Sequence, residues 1–302
     1  MAAPSVHAQT AEPWPIWLPH YEMNMNLDVA GHAAHVVMRA TWTNPQPLPT
    51  RQLVFNAHSR YVVPKSEIGL SAKTLELLRV DPGDVLGVKD PALDIQRITL
   101  LDAAGAASPL SFRYERDTKT SLVVPLPRAV GPGESVTVVL EFTMHLPPKQ
   151  GRWGQWHGVT TLSNWLPVFA YYGPRRDPPT CKPPAEAAAP QPACTWQPTP
   201  FLAWHQPFFN ESAHYRVRAA LPADQQIACT GSVVARRTLA DGRQQVDIFA
   251  PGARDFAFLC SARYRVFDGS VSVPVEKTND DTLPAPRPVS SVSRDAQRSA
   301  GD

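Results

Sequence analysis

FLAWHQPFFNESAHYRVRAALPADQQIACTGSVVARRTLADGRQQVDIFAPGARDFAFLCSARYRVF, residues 201–267, reads as four short strands with their turns. In residues 213–221, Tyr215, Val217 and Ala219 fall on one face and Arg216 and Arg218 on the other, the period-two alternation of a half-buried strand. Pro222, Ala223 and Asp224 break that run. Residues 227–234 predict a second strand, carrying Gly231, and Asp241-Gly242 is a hairpin turn signal. Residues 246–249 and 256–259 predict two more strands, separated by Pro251-Gly252. This succession of short runs and turns, with no helical period between them, places the stretch in the all-β class.

The same pattern continues upstream. Residues 21–29 (YEMNMNLDV) alternate apolar and polar side chains, and a turn at Gly31 leads to a second such strand, residues 34–43 (AHVVMRATWT), ended by Asn44-Pro45. Residues 53–57 (LVFNA) predict a third, and the three together suggest an antiparallel meander with one wet face. Residues 73–79 (KTLELLR) fit either a short helix or a strand. Residues 98–101, 110–114, 121–126 and 136–144 predict further strands, with Gly131-Pro132-Gly133 as a turn. No segment has a long amphipathic helical period, so the expected fold is all-β, antiparallel and multi-sheet, with long Pro-rich loops.

Composition bounds the partners. The 302 residues carry a net charge of +2, and the 29 basic residues are scattered, which argues against a nucleic-acid surface. The 33 prolines suit edges, bends and extended connections and are excluded from helix interiors. No run approaches the roughly 18 apolar residues that a transmembrane helix needs. In the opening MAAPSVHAQTAEP, Val6-His7-Ala8 resembles the small-x-small end of a signal peptide. Residues 1–18 are thus expected to be a disordered lead-in or a signal-peptide remnant, and the compartment stays open between cytoplasmic and exported. Residues 19–272 are expected to form one β domain with a loop insertion at 173–200. Residues 273–302 hold no aromatic side chain and few apolar ones, and predict a disordered tail.

The chemistry-bearing residues are few. None of Cys181, Cys194, Cys229 and Cys260 forms a C-x-x-C pair, which disfavours a zinc ribbon. Cys181 and Cys194 flank a Pro/Ala-rich loop and are the disulfide candidate, worth about 3 kcal/mol by chain entropy. Cys229 and Cys260 lie in strand-like runs and read as small buried hydrophobes. His32 and His35 are a close pair with no further ligand nearby, and read as surface histidines. Residues 151–172 (GRWGQWHGVTTLSNWLPVFAYY) are dense in aromatics, and Trp153, Trp156 and Trp165 are expected to sit under another layer or face a partner. In residues 204–211 (WHQPFFNE), His205, Gln206, Asn210 and Glu211 lie among aromatics and are candidates for lining a cleft. The alternative is that the aromatics are core and Asn210-Glu211 caps a turn. Arg254-Asp255 predicts a structural ion pair. No nucleophile elbow, phosphate loop or dinucleotide fingerprint occurs.

These pieces, taken in order, resemble a known family. YEMNMNLDV…HVVMRATWTN is similar to the first two strands of the membrane-alanyl-aminopeptidase family, the gluzincin zinc aminopeptidases of peptidase family M1. GPGESVTVVLEFTMHLP resembles that family's strand into its central loop, and LSNWLPVFAYY its Trp-x-Pro segment with paired aromatics. PFFNESAHYRVRAALPADQQIACTG, then DGR and RDFAFLCSARYRV, resemble the closing strands of its N-terminal β domain. The resemblance covers residues 20–272.

The resemblance implies a saddle-like, non-catalytic N-terminal domain that flanks a peptide-binding cleft. It also implies what this chain lacks. The family's catalytic domain carries a Gly-x-Met-Glu-Asn motif and a His-Glu-x-x-His helix, whose two histidines bind zinc and whose Glu polarises its water. None of the nine histidines here is followed by Glu in that spacing. The expectation is therefore a chain truncated before the catalytic domain, without a cofactor of its own and inactive alone, zinc belonging to the full-length family. Its expected partner is a catalytic domain or another protein, with peptide as substrate only in a full-length context. The alternatives are a binding or scaffold module without peptidase activity, and an incomplete record of an active metallo-aminopeptidase.

Overall fold

The computed structural model describes residues 15, 17–62, 68–79, 90–115, 120–174, 194–199, 209–267 and 291–293. Strands β1 (His20–Asp28), β2 (Ala33–Thr43) and β3 (Thr50–Asn56) precede a 3-10 turn at His58–Arg60 and helix α1 (Ile68–Leu77). Next come β4 (Leu93–Leu101), β5 (Ala107–Pro109), β6 (Arg113–Tyr114), β7 (Ser121–Val130) and β8 (Ser135–His145). The middle of the chain supplies β9 (Trp153–Trp156), β10 (Val159–Leu162), β11 (Val168–Phe169), β12 (Tyr171–Gly173) and β13 (Thr195–Gln197). The last group is β14 (Ala213–Leu221), β15 (Gln226–Cys229), β16 (Ser232–Thr238), β17 (Gln244–Ala253), β18 (Phe258–Ser261), β19 (Arg265–Phe267) and β20 (Ser291–Ser293).

The all-β expectation holds. The longest sheet has eight strands in the order β16-β17-β14-β1-β2-β8-β4-β5, and two four-stranded sheets run β15-β18-β10-β9 and β11-β3-β7-β6. Alternation sets which face is wet. In β1, Tyr21, Met23, Met25 and Leu27 are buried while Glu22, Asn24 and Asn26 are exposed, and β8 repeats the pattern.

Several sequence expectations change. β1 pairs with β14 in parallel, Glu22 beside Arg216, so the fold is not wholly antiparallel. β3 does not extend the β1–β2 hairpin into a meander but pairs with β7 and β11 in another sheet. The expected strand 227–234 is two strands in two sheets, parted where Gly231 turns to φ +86°. Pro251-Gly252 lies inside β17 and ends nothing. Residues 73–79 belong largely to helix α1.

Aromatic side chains join the layers. Tyr21 of β1 stacks on Tyr215 of β14 (ring centroids 5.2 Å apart) and on Phe169 of β11 (5.7 Å). Phe169 in turn stacks on Phe55 of β3 at 4.5 Å, and Trp42 of β2 meets Trp196 at 5.0 Å. Each pair adds about 0.5–1.5 kcal/mol to the apolar area it buries. Trp196 Nε1 donates to Thr50 Oγ1 at 3.0 Å, so the indole is satisfied as well as packed.

The loop insertion is pinned at its ends, where β12 and β13 form a two-stranded ladder from Tyr171–Gln197 to Gly173–Thr195. Residues 175–193 between them, and the expected lead-in and tail apart from residues 15, 17, 18 and Ser291–Ser293, lie outside the described residues. β20 pairs with β19.

Candidate functional site

Asn56, Asn210 and Glu211 lie where the chain enters β14. Asn56, at the end of β3, is fully buried and fixes the entry: its Nδ2 donates to Phe209 O at 3.3 Å and its Oδ1 accepts from Thr199 N at 2.9 Å. One side chain thus ties both flanks of residues 200–208. Phe209 is 44% exposed, with its ring edge-on to Tyr171 at 6.0 Å. Beside it Asn210 is buried and its Oδ1 has no hydrogen-bond partner among the described residues; the buried Tyr215 hydroxyl has none among them either. Leaving such groups desolvated and unpaired costs about 1–3 kcal/mol each, so they mark a place where the protein is not optimised for its own stability.

The charges around them are shifted in one direction. Burial raises the carboxyl pKa of Glu211 above its usual value. Burial, then the nearby Asp255, pushes the Tyr215 hydroxyl up. Tyr21 is raised by burial and by Tyr215, against the hydrogen bond that its hydroxyl oxygen accepts from Phe169 N at 2.9 Å. Asp255 is also raised by burial, although it accepts hydrogen bonds from Asn164 N at 2.9 Å and the Ser163 hydroxyl at 3.4 Å. Those bonds replace the ion pair expected with Arg254. The corner is therefore rich in acceptors held in a low-dielectric setting, which suits an N–H donor or a cation. Among its described residues no nucleophile is hydrogen-bonded to a base.

The other sequence candidates separate. His205, Gln206 and Cys181 lie outside the described residues. Trp165 and Trp153 face inward: Trp165 is wholly buried with its Nε1 donating to Phe256 O at 2.9 Å, and Trp153 lies beneath the Lys149 ammonium at 5.5 Å. Trp156 is half-buried, edge-on to His157 at the tip of the β9–β10 hairpin. His32 sits exposed in a turn at φ 53°, and His35 is exposed on β2, its Nδ1 at 3.1 Å from Thr143 Oγ1. Cys194 is disulfide-bonded. Cys229 and Cys260 are free, and burial pushes both thiols up to about 11, which keeps them protonated and poor nucleophiles at neutral pH. Sequence reasoning missed Asn56 and the Tyr21–Tyr215 pair. An Asn ending the apolar run LVFN was the one local signal for the first.

Zinc, which the family resemblance brings in, finds no fit here. Among the described residues no group of three or more His, Cys, Asp or Glu could hold a metal ion, and the sequence has no His-Glu-x-x-His. No step through a metal is assigned to this chain.

His58, beside this region in the 3-10 turn, gives the fold a pH dependence. Burial, then the Arg152 charge, lowers its pKa to about 4. A histidine held neutral in the folded state contributes stability that is complete above its unfolded pKa of about 6.5 and is lost as pH falls towards 4. Unfolding free energy is expected to drop by about 3 kcal/mol across that window. The raised carboxyls of Glu211 and Asp255 act in the opposite sense, gaining stability as pH falls. Urea unfolding at pH 7, 5.5 and 4 checks this, and His58→Gln should flatten the slope between pH 6.5 and 4.

No family model and no curated protein matches the sequence. Among solved structures, a two-domain M1 zinc metallopeptidase bound to L-tryptophan aligns with a TM-score of 0.48 and 11% identity, over 85% of this chain and 45% of that one. An M1 zinc metallopeptidase from Deinococcus radiodurans aligns with a TM-score of 0.47 and 12% identity, over 88% and 50%. The chain spans about half the length of these solved proteins. At such identity the functional reading rests on the residues.

Proposed function

We propose that this chain is a non-catalytic β domain of a zinc-aminopeptidase-like protein, and that its Asn210–Glu211 corner flanks the cleft in which a peptide is held. The observation that carries the reading is the corner itself: a buried Asn210 Oδ1 without a partner among the described residues, adjoining in the chain the desolvated Glu211 carboxyl and the exposed Phe209, with the buried Tyr215 hydroxyl likewise unpaired among them. A domain evolved only to fold would pair those groups or replace them. Facing a peptide-binding neighbour, the half-buried Glu211 would serve as a hydrogen-bond partner and Phe209 as an apolar wall.

The order of the family-like segments along residues 20–272 supports the same assignment, as does the absence of the zinc-helix pattern from the sequence. The domain's part in the chemistry would be positional, restricting one side of a cleft whose metal and general base belong elsewhere.

An aminoacyl-amide hydrolysis assay of the purified chain with zinc supplied tests the non-catalytic half of the proposal. The expected result is a rate equal to buffer. Chelator-sensitive turnover that scales with chain concentration would overturn it.

A further inference from the structure

The solvent face of the eight-stranded sheet holds a groove remote in character from the Asn210 corner. Across β17, β14 and β1, Phe249, Arg216 and Glu22 are neighbours in one row, and Asp247, Arg218 and Asn24 in the next. With Val234 of β16 these residues line a cavity of about 540 Å³. Past Glu22, Arg216 and Phe249 it continues into a second cavity of about 280 Å³, which adds His20 and His214.

Its two arginines and two carboxylates are unevenly paired. Arg218 has Asp247 at 3.4 Å in the same groove, and elsewhere on this face Arg97 has Glu141 at 2.6 Å. Arg216 has no ion pair or hydrogen bond among the described residues. Its guanidinium instead lies 5.3 Å from the centre of the Phe249 ring. Glu22 is flanked in register by Arg216 on one side and Arg39 on the other, with no ion pair to either among the described residues. At the end of the groove the His20 and His214 rings stand 4.7 Å apart. Burial, then His20 and Arg216, hold the His214 pKa down, which keeps that imidazole neutral. An anion on Arg216 would supply the counterion that the described residues do not.

We propose that this groove binds a small organic carboxylate, its carboxylate on Arg216 and its apolar part against Phe249 and Val234. A planar guanidinium is the side chain best matched to a carboxylate. Phe249 is half-buried and Val234 is 64% exposed, an apolar wall beside the charge. The cavity lies within the range of about 300–1,000 Å³ typical of small-molecule sites. The inference stands apart from the proposed function, and either can fail without the other.

Titration of the full chain with N-acetyl-L-phenylalanine and with its uncharged amide, followed by amide chemical shifts, tests it. The acid is expected to bind about tenfold or more tightly than the amide, the worth of one charge-assisted hydrogen bond. Shifts should concentrate on β1, β14, β16 and β17. Arg216→Gln should abolish the preference for the acid, and Glu22→Gln, which removes the competing carboxylate, should strengthen acid binding. Equal binding of acid and amide, no binding of either, or shifts mapping to another sheet would overturn the proposal. Were Arg216→Gln to lower the melting temperature, Glu22→Gln decides alone: unchanged affinity overturns it.

Discussion

Trp165→Ala is expected to lower the unfolding free energy by about 3–5 kcal/mol, the range for removing a large aromatic from a packed core. Trp165 is wholly buried, and its ring lies edge-on to Phe142 of β8 at 6.2 Å. Its Nε1 donates to Phe256 O at 2.9 Å, and its own carbonyl accepts from Ser59 Oγ at 2.7 Å. Truncation therefore opens a cavity and strands a buried carbonyl together. Trp165→Phe keeps most of the volume but loses the indole donor, and should cost about 1–3 kcal/mol. Urea unfolding of both variants separates packing from hydrogen bonding. A loss below about 1 kcal/mol for the alanine variant would mean that Trp165 is not part of the folded core.

Gly231→Ala is expected to be the next most damaging change, at about 2–5 kcal/mol. Gly231 sits at φ +86° between β15 and β16, and an added Cβ would lie 2.5 Å from both Ala250 Cβ and Phe249 O. The left-handed backbone costs an L side chain about 1–2 kcal/mol, and the clash about 1–3 more. Gly242 isolates the two costs. Its φ is +82°, but nothing lies within 4 Å of its added Cβ, so Gly242→Ala should show the backbone cost alone. Paired denaturation curves check the difference. Equal losses at both glycines would contradict the close approach of β17 to Gly231.

Strand positions were the most legible part of the sequence. Alternation in YEMNMNLDV and HYRVRAAL locates β1 and β14, because a strand with one wet face must write its burial into every second residue. Which strands become neighbours is not written locally. β1 and β14 lie almost 200 residues apart, and their parallel pairing sets Tyr21 beside Tyr215, whose rings stack in one core. The change of sheet at Gly231 was equally hidden: a glycine between apolar runs reads as a weak point of one strand until a second sheet captures half of it.

The candidate site was half legible. Asn210 and Glu211 stood out as polar residues among aromatics, but burial without a partner is a property of tertiary structure alone. Asn56 looked like an ordinary strand residue, and only the fold shows it holding Thr199 and Phe209 together. Aromatic density at residues 151–172 signalled burial correctly for Trp153 and Trp165, whose side chains pack inward. It could not signal which ring would be left at the surface, because Trp156 differs from its neighbours only in lying at a hairpin tip.

Zinc content of the purified chain, measured by elemental analysis after dialysis against zinc and then against buffer, tests the central claim most directly. A non-catalytic β domain is predicted to retain far less than one zinc per chain and to keep its melting temperature when a chelator is added. One tightly held zinc per chain, with loss of stability on chelation, would contradict the account.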